Sequence, residues 1–115
     1  MENQRNNLKV ILVDLDGVLC KGDTWNPEDC LKAKPIEKNI EEVNRLHQKH
    51  FVVIYTSRRD NLIPATLEWL RRNNVQYQAF SNKKSAADIY IDDRSINPED
   101  MEDLLTCQNI KKQKK

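Results

Sequence analysis

Apolar residues run along this chain in short blocks, each cut off by charged or hydroxylated residues. The first block, within Lys9–Val13, leads straight into Asp14-Leu15-Asp16-Gly17-Val18. The second, Phe51-Val52-Val53-Ile54-Tyr55, is apolar at every position, as expected for a strand buried on both faces. It stops at Thr56-Ser57-Arg58-Arg59-Asp60. A short strand is predicted over Tyr77–Phe80, and another at Ile89-Tyr90-Ile91, which ends at Asp92-Asp93-Arg94. Between these blocks the period changes. Ile36, Ile40, Val43 and Leu46 recur at helical spacing and predict an amphipathic helix over Ile36–His50. A second helix should start near Pro64, with Ile63, Leu67 and Leu70 on one face. A last helix should open at Asn97-Pro98-Glu99-Asp100, with Asn as cap, Pro at the first position and acids in the first turn. Met101, Leu104 and Leu105 supply its apolar face. The polar stretch Lys21–Lys34, punctuated by Gly22 and Pro27, reads as an irregular insert. Strand and helix alternate, so the expected architecture is α/β: a parallel sheet with right-handed crossovers and helices on both faces.

In such a sheet all strand ends lie on one edge, where open α/β folds keep their sites. That edge would gather Asp14 and Asp16 from the first strand, Thr56 and Ser57 from the second, and Asp92 and Asp93 from the last. Lys83 and Lys84, shortly before the last strand, can reach it. Asp14 and Asp16 are two apart, so a continued strand would point both to one side. Like charges held that close need a cation between them or a proton on one of them.

Composition narrows the classes. With 115 residues the chain makes one domain, positions 1–115, with flexible tails expected at 1–7 and 109–115. Charged residues make up 32% but the net charge is only +1, so no global basic field points to nucleic acid. The terminal Lys111-Lys112-Gln113-Lys114-Lys115 reads as a solvated tail, with a phosphate-attracting arm as the sharper alternative. No apolar run approaches the roughly 20 residues of a membrane span, and Met1 to Asn7 holds no apolar signal region, so no membrane partner and a cytoplasmic location are expected. Cys20, Cys30 and Cys107 form no C-x-x-C pair and read as free thiols, Cys20 as a bystander near the acids. His47 and His50 read as a polar helix face, Trp25 as loop packing with ring stacking as the sharper role, and Trp69 and Tyr77 as core or core rim.

Taken in order, these motifs resemble the haloacid dehalogenase superfamily of phosphate-transfer enzymes. Asp14-Leu15-Asp16-Gly17-Val18 matches the strand followed by Asp-x-Asp-Gly-Thr/Val, and Ile54-Tyr55-Thr56-Ser57-Arg58 matches the strand ending in Thr or Ser. Tyr90-Ile91-Asp92-Asp93 matches the acidic pair after an apolar strand. Ala33-Lys34-Pro35-Ile36 and Ala87 to Asp93 look like short members with a minimal cap. Their Lys-x-x-x-Asp spacing, counted back from Asp88, favours Lys84 as the site lysine. The resemblance implies a Rossmann-like three-layer α/β sandwich with a minimal cap, and a Mg²⁺-dependent phosphomonoesterase. Asp14 would be the nucleophile that forms an aspartyl-phosphate. Asp16 would be the general acid and then base, which requires it to hold a proton first. Thr56 would donate to a phosphoryl oxygen and Lys84 would balance charge. Gly17, Ser57 and Arg58 would contact substrate. Beside the motifs, Arg58, Arg59, Lys21 and Arg94 read as solvated surface charges, with holding a second anionic group of the substrate as the sharper role. Mg²⁺ would be held by Asp14, the Asp16 carbonyl, Asp92 and Asp93.

The short insert implies an open site. An open site admits bulky substrates such as nucleic-acid ends or protein phosphoresidues. Alternatively, a neighbouring subunit of a homo-oligomer could cover it for a small phosphorylated metabolite such as a sugar phosphate or nucleotide, the leading expectation. Polynucleotide ends are the alternative substrate, and a non-catalytic Mg²⁺-binding or structural module the alternative role. Receiver domains of response regulators also place acids, a Thr and a Lys around Mg²⁺. Their acidic pair, however, follows the first strand, whereas Asp92-Asp93 ends the last.

Overall fold

The computed structural model describes residues 8–83 and 86–92. Lys84, Asp93, Arg94, Cys107, the helix expected from Asn97 and the lysine tail lie outside them.

Four parallel strands form the main sheet: β1 (Val10–Asp14), β4 (Phe51–Tyr55), β5 (Ala79–Ser81) and β6 (Ile89–Ile91), in the order β5-β4-β1-β6. Helix α2 (Glu37–Lys49) carries the chain from β1 to β4, and α3 (Ile63–Arg72) carries it from β4 to β5. A short 3₁₀ turn, Asp60–Leu62, leads into α3. This is the expected α/β, Rossmann-like arrangement. The strands of β4 and β6 fall where the apolar runs place them, and β1 starts and ends one residue later than expected.

The pleat sorts the core. Ile11 and Val13 pair with Val52 and Ile54 on one side and with Ile89 and Ile91 on the other. All six join one apolar cluster with Ile40, Val43 and Leu46 of α2 and Trp69 and Leu70 of α3. Both crossover helices therefore pack on this face. Leu12 and Val53 point to the opposite face and are buried as well. Each late strand is tied in at its entry by a polar side chain. Asp88 Oδ2 accepts the Val10 N–H at 2.7 Å, and Gln78 Oε1 accepts the Val52 N–H at 2.7 Å.

The insert after β1 is ordered, contrary to the expectation of an irregular stretch. Strands β2 (Cys20–Lys21) and β3 (Lys34–Pro35) pair antiparallel around helix α1 (Pro27–Lys32). Asn26 caps α1 by accepting the Asp29 N–H at 2.8 Å, with Pro27 at the first position and acids in the first turn. The signal was legible: Asn26-Pro27-Glu28-Asp29 repeats the four residues from which the sequence predicts a helix start at Asn97. Trp69 fastens the insert to the core by donating its indole N–H to the Ala33 carbonyl at 2.8 Å. On α3 the buried side is Thr66, Trp69 and Leu70, whereas Leu67, expected on the apolar face, is 39% exposed.

His50 also departs from its expected surface role. It is 2% exposed at the C-cap of α2, and its Nδ1 accepts the Lys9 N–H at 3.1 Å. Burial, reinforced by Lys49 and Lys9, pushes the imidazole below its ordinary value. A base whose folded value is lowered binds protons more readily when unfolded, so stability is full above about pH 6.5 and declines as pH falls through that value. Protonation also removes the acceptor that Lys9 uses. Replacing His50 by Gln keeps an acceptor but no titration. Urea denaturation at several pH values should show wild-type stability falling as pH drops below about 6.5, with a flatter profile for His50→Gln. Identical profiles would mean that another group drives the change.

Candidate active site

The strand order reverses at β1. The chain adds β4 and β5 on one side of it and then β6 on the other. Loops leaving β1 and its neighbours diverge at such a point and open a crevice at the carboxyl edge. Val13 is paired with Ile91, so the next residues, Asp14 and Asp92, leave neighbouring strands side by side. Adjacent strands lie about 4.8 Å apart. Carboxylates are hard oxygen donors of the kind Mg²⁺ takes. Among the described residues no group of three His, Cys, Asp or Glu side chains converges in a metal-binding arrangement.

Asp16 is handled differently. The strand ends at Asp14, and the chain from Leu15 to Cys20 folds into a tight loop in which Leu19 N–H donates to the Leu15 carbonyl at 2.9 Å. Gly17 takes φ +87° there, which a residue with a Cβ rarely adopts. Its N–H donates to the Cys20 carbonyl at 2.9 Å. Gly17, expected to contact substrate, thus spends its amide inside the loop. Asn39 of α2 secures the loop by donating to the Val18 carbonyl at 2.7 Å.

The loop delivers Asp16 to Arg58. Nη2 of Arg58 donates to Asp16 Oδ1 at 2.6 Å and Nε donates to Oδ2 at 3.3 Å. The third guanidinium nitrogen, Nη1, donates to Thr66 Oγ1 at 2.8 Å. The Arg58 side chain is 5% exposed and that of Asp16 is 40% exposed. Burial opposes the Arg58 charge. The hydrogen bonds and negative charge of Asp16 outweigh it and push the guanidinium above its ordinary value. Arg58 was expected to hold a substrate anion; its fork is instead closed on a carboxylate of the chain itself. Thr56 is fully buried, and its hydroxyl donates to Asp16 Oδ2 at 3.1 Å rather than standing open. It also accepts the Arg58 N–H at 3.2 Å. Ser57 and Arg59 are exposed beside the pair.

Cys20 completes this cluster, with Sγ 3.7 Å from Asp16 Oδ1 and 3.5 Å from Arg58 Nη2. Burial first, and Asp16 next, push its thiol up to about 12. It stays protonated and unreactive at neutral pH, in keeping with a bystander.

A cleft of about 480 Å³ opens beside Asp16 and Arg58, between the insert loop Gly22 to Trp25 and the segment from Ser57 to Leu62. Trp25 lines it and is 83% exposed, so loop packing is not its role. No described helix is long and apolar enough to cross a membrane.

No protein-family model matches this chain, and no curated protein does. A solved structure, the conserved protein coded by a locus of Bacteroides thetaiotaomicron, is similar over 94% of this chain and 93% of its own, with a TM-score of 0.66 and 23% identity. At that identity the likeness establishes the shared α/β fold.

Removing the carboxylate of Asp16 would leave a buried guanidinium without its counter-charge. Asp16→Ala should lose roughly 3 kcal/mol of unfolding free energy, the lower end for an orphaned buried charge. The double variant Asp16→Ala, Arg58→Met should recover part of that loss. Wild-type stability in Asp16→Ala would mean the pair is not closed in solution.

Proposed function

We propose that this protein is a Mg²⁺-dependent phosphomonoester hydrolase that works through an aspartyl-phosphate on Asp14. The observation that carries the reading is the placement of Asp14, Asp16, Thr56 and Asp92 at one carboxyl edge, where the strand order reverses. A family resemblance in the order of the motifs supports it.

In this reading Mg²⁺ would be held by Asp14 and Asp92, with the Asp16 carbonyl and Asp93. When bound, the ion offsets the charge that keeps one anion from attacking another. A carboxylate oxygen of Asp14 forms a bond to phosphorus as the bond to the leaving oxygen breaks. Asp16 gives the leaving oxygen a proton, then takes one from the water that cleaves the acyl phosphate. Arg58 bears on both halves of this cycle. Its fork engages both carboxylate oxygens of Asp16, so proton transfer through Asp16 requires the fork to loosen. Thr56 holds the same carboxylate from the strand side. Lys84 balances charge on the transferred group.

A second reading, a Mg²⁺-binding module without turnover, is favoured by one observation. Both oxygens of Asp16 are already bonded within the chain.

Phosphate release from an aryl phosphate separates the two. With Mg²⁺ the wild-type protein should turn over, chelator should abolish it, and Asp14→Asn should lower kcat by at least about 10³-fold. A folded protein that binds Mg²⁺ but releases no phosphate from aryl, sugar or nucleotide esters would sink the hydrolase reading and leave the module.

A further inference from the structure

Trp25 is the most exposed large apolar side chain among the described residues. Folding does not explain its position, because the insert is fastened elsewhere. Cys30 and Ala33 are buried, Asn26 caps α1, and Trp69 holds the Ala33 carbonyl. Trp25 instead forms part of the wall of the cleft that also takes in Asp16. Asp23, Thr24, Asn61 and Arg59 line the same cleft. An exposed indole in a cleft whose lining also includes a carboxylate, a hydroxyl and an amide suits one kind of ligand. The C–H face of a sugar ring meets the negative face of the indole. Its hydroxyls donate to a carboxylate and exchange hydrogen bonds with hydroxyl and amide groups.

Direction comes from Asp16. The group that protonates the leaving oxygen must face the leaving group, and the space beside Asp16 is this cleft. We propose that the cleft is the leaving-group subsite and that it takes a phosphorylated polyhydroxylated ring, a sugar phosphate, stacked on Trp25 with its hydroxyls on Asp23, Thr24 and Asn61. The placing of the phosphate rests on the hydrolase reading; the stacking does not. A nucleobase fits less well. It is apolar on both faces, and among the residues lining the cleft Trp25 is the lone aromatic, so one face would stay wet. A cleft of about 480 Å³ is ample for a single ring and its phosphate.

The chain contains two tryptophans, and Trp69 is 2% exposed, so ligand-dependent emission and iodide quenching report on Trp25. Asp14→Asn protein would be titrated with a panel of aldose and ketose phosphates, the free sugars, inorganic phosphate and a nucleoside monophosphate. Binding would be measured in parallel by calorimetry. At least one sugar phosphate should change the emission saturably, shield it from iodide and bind more tightly than inorganic phosphate. Adding Trp25→Ala should weaken that ligand by about tenfold while inorganic phosphate moves less than about twofold. A flat titration, an equal loss for every ligand in Trp25→Ala, or a nucleoside monophosphate bound more tightly than all sugar phosphates would overturn the proposal. Phosphate release by the wild-type protein from the bound sugar phosphates keeps the two readings apart. Binding through Trp25 without turnover retains the subsite and sinks the hydrolase. Turnover of an aryl phosphate with no sugar phosphate bound does the reverse.

Discussion

A guanidinium taken out of water must meet a carboxylate or the fold that buried it loses stability, and Arg58 is such a group. Its partner, Asp16, comes from the loop after β1, while Arg58 itself comes from the segment after β4. Its remaining nitrogen reaches Thr66 on α3, whose hydroxyl in turn donates to the Leu62 carbonyl at 2.8 Å. One side chain thus sets the distance between two strand exits and the helix behind them. The orientation of Thr56, whose hydroxyl donates to Asp16 and accepts the Arg58 N–H, follows from it. So does the cleft, which opens where these same segments diverge beyond the pair.

The sheet supplies the other half of the edge. Because β1 is central, its exit is flanked by β4 on one side and β6 on the other. Asp14 at the end of β1 stands beside Asp92 at the end of β6, and the Asp16–Arg58 pair ties the β1 exit to the segment after β4. The edge is therefore divided. Carboxylates suited to a cation lie to one side, a neutralised pair and an open cleft lie to the other, and Asp14 and Asp16 are the seam between them. A single charged basin would have to balance all these acids with one ion. Here Arg58 removes one of them from that problem.

Features set by local pattern were legible in the sequence. The apolar runs of β4 and β6 and the helical period of α2 need no distant partner to be read. The sheet edge could likewise be assembled from strand ends. What could not be read depends on contacts across the chain. Arg58 and Asp16 are 42 positions apart, so an arginine beside a motif looked like a group waiting for substrate. His50 is buried because Lys9, 41 positions away, lends it a backbone N–H. Leu67 sits on the expected stripe of α3, yet α1 packs where Trp69 and Thr66 face, and that helix was not foreseen. The order of the insert is hidden by residues that carry two meanings. Gly22 and Pro27 read as breakers in the sequence, although Pro27 follows an Asn cap and starts a helix rather than ending one.

The insert's size explains why its tip, and not its base, meets the cleft. A segment from Cys20 to Pro35 is too short to bury a core of its own, so it must borrow one. It does so through Cys20 and Cys30, through the Trp69–Ala33 hydrogen bond and through the packing of α1 on α3. Each of these anchors lies at the ribbon or on the helix. The turn between them, with Gly22 at φ +119°, holds the Cys30 thiol through the Thr24 backbone carbonyl at 4.0 Å, a contact that leaves its side chains to be polar or aromatic without loss to the fold. Burying an indole contributes about 2–3 kcal/mol, so folding alone would favour a Trp at an anchor, where Trp69 already stands. An indole kept in solvent at this turn is therefore placed for what enters the cleft.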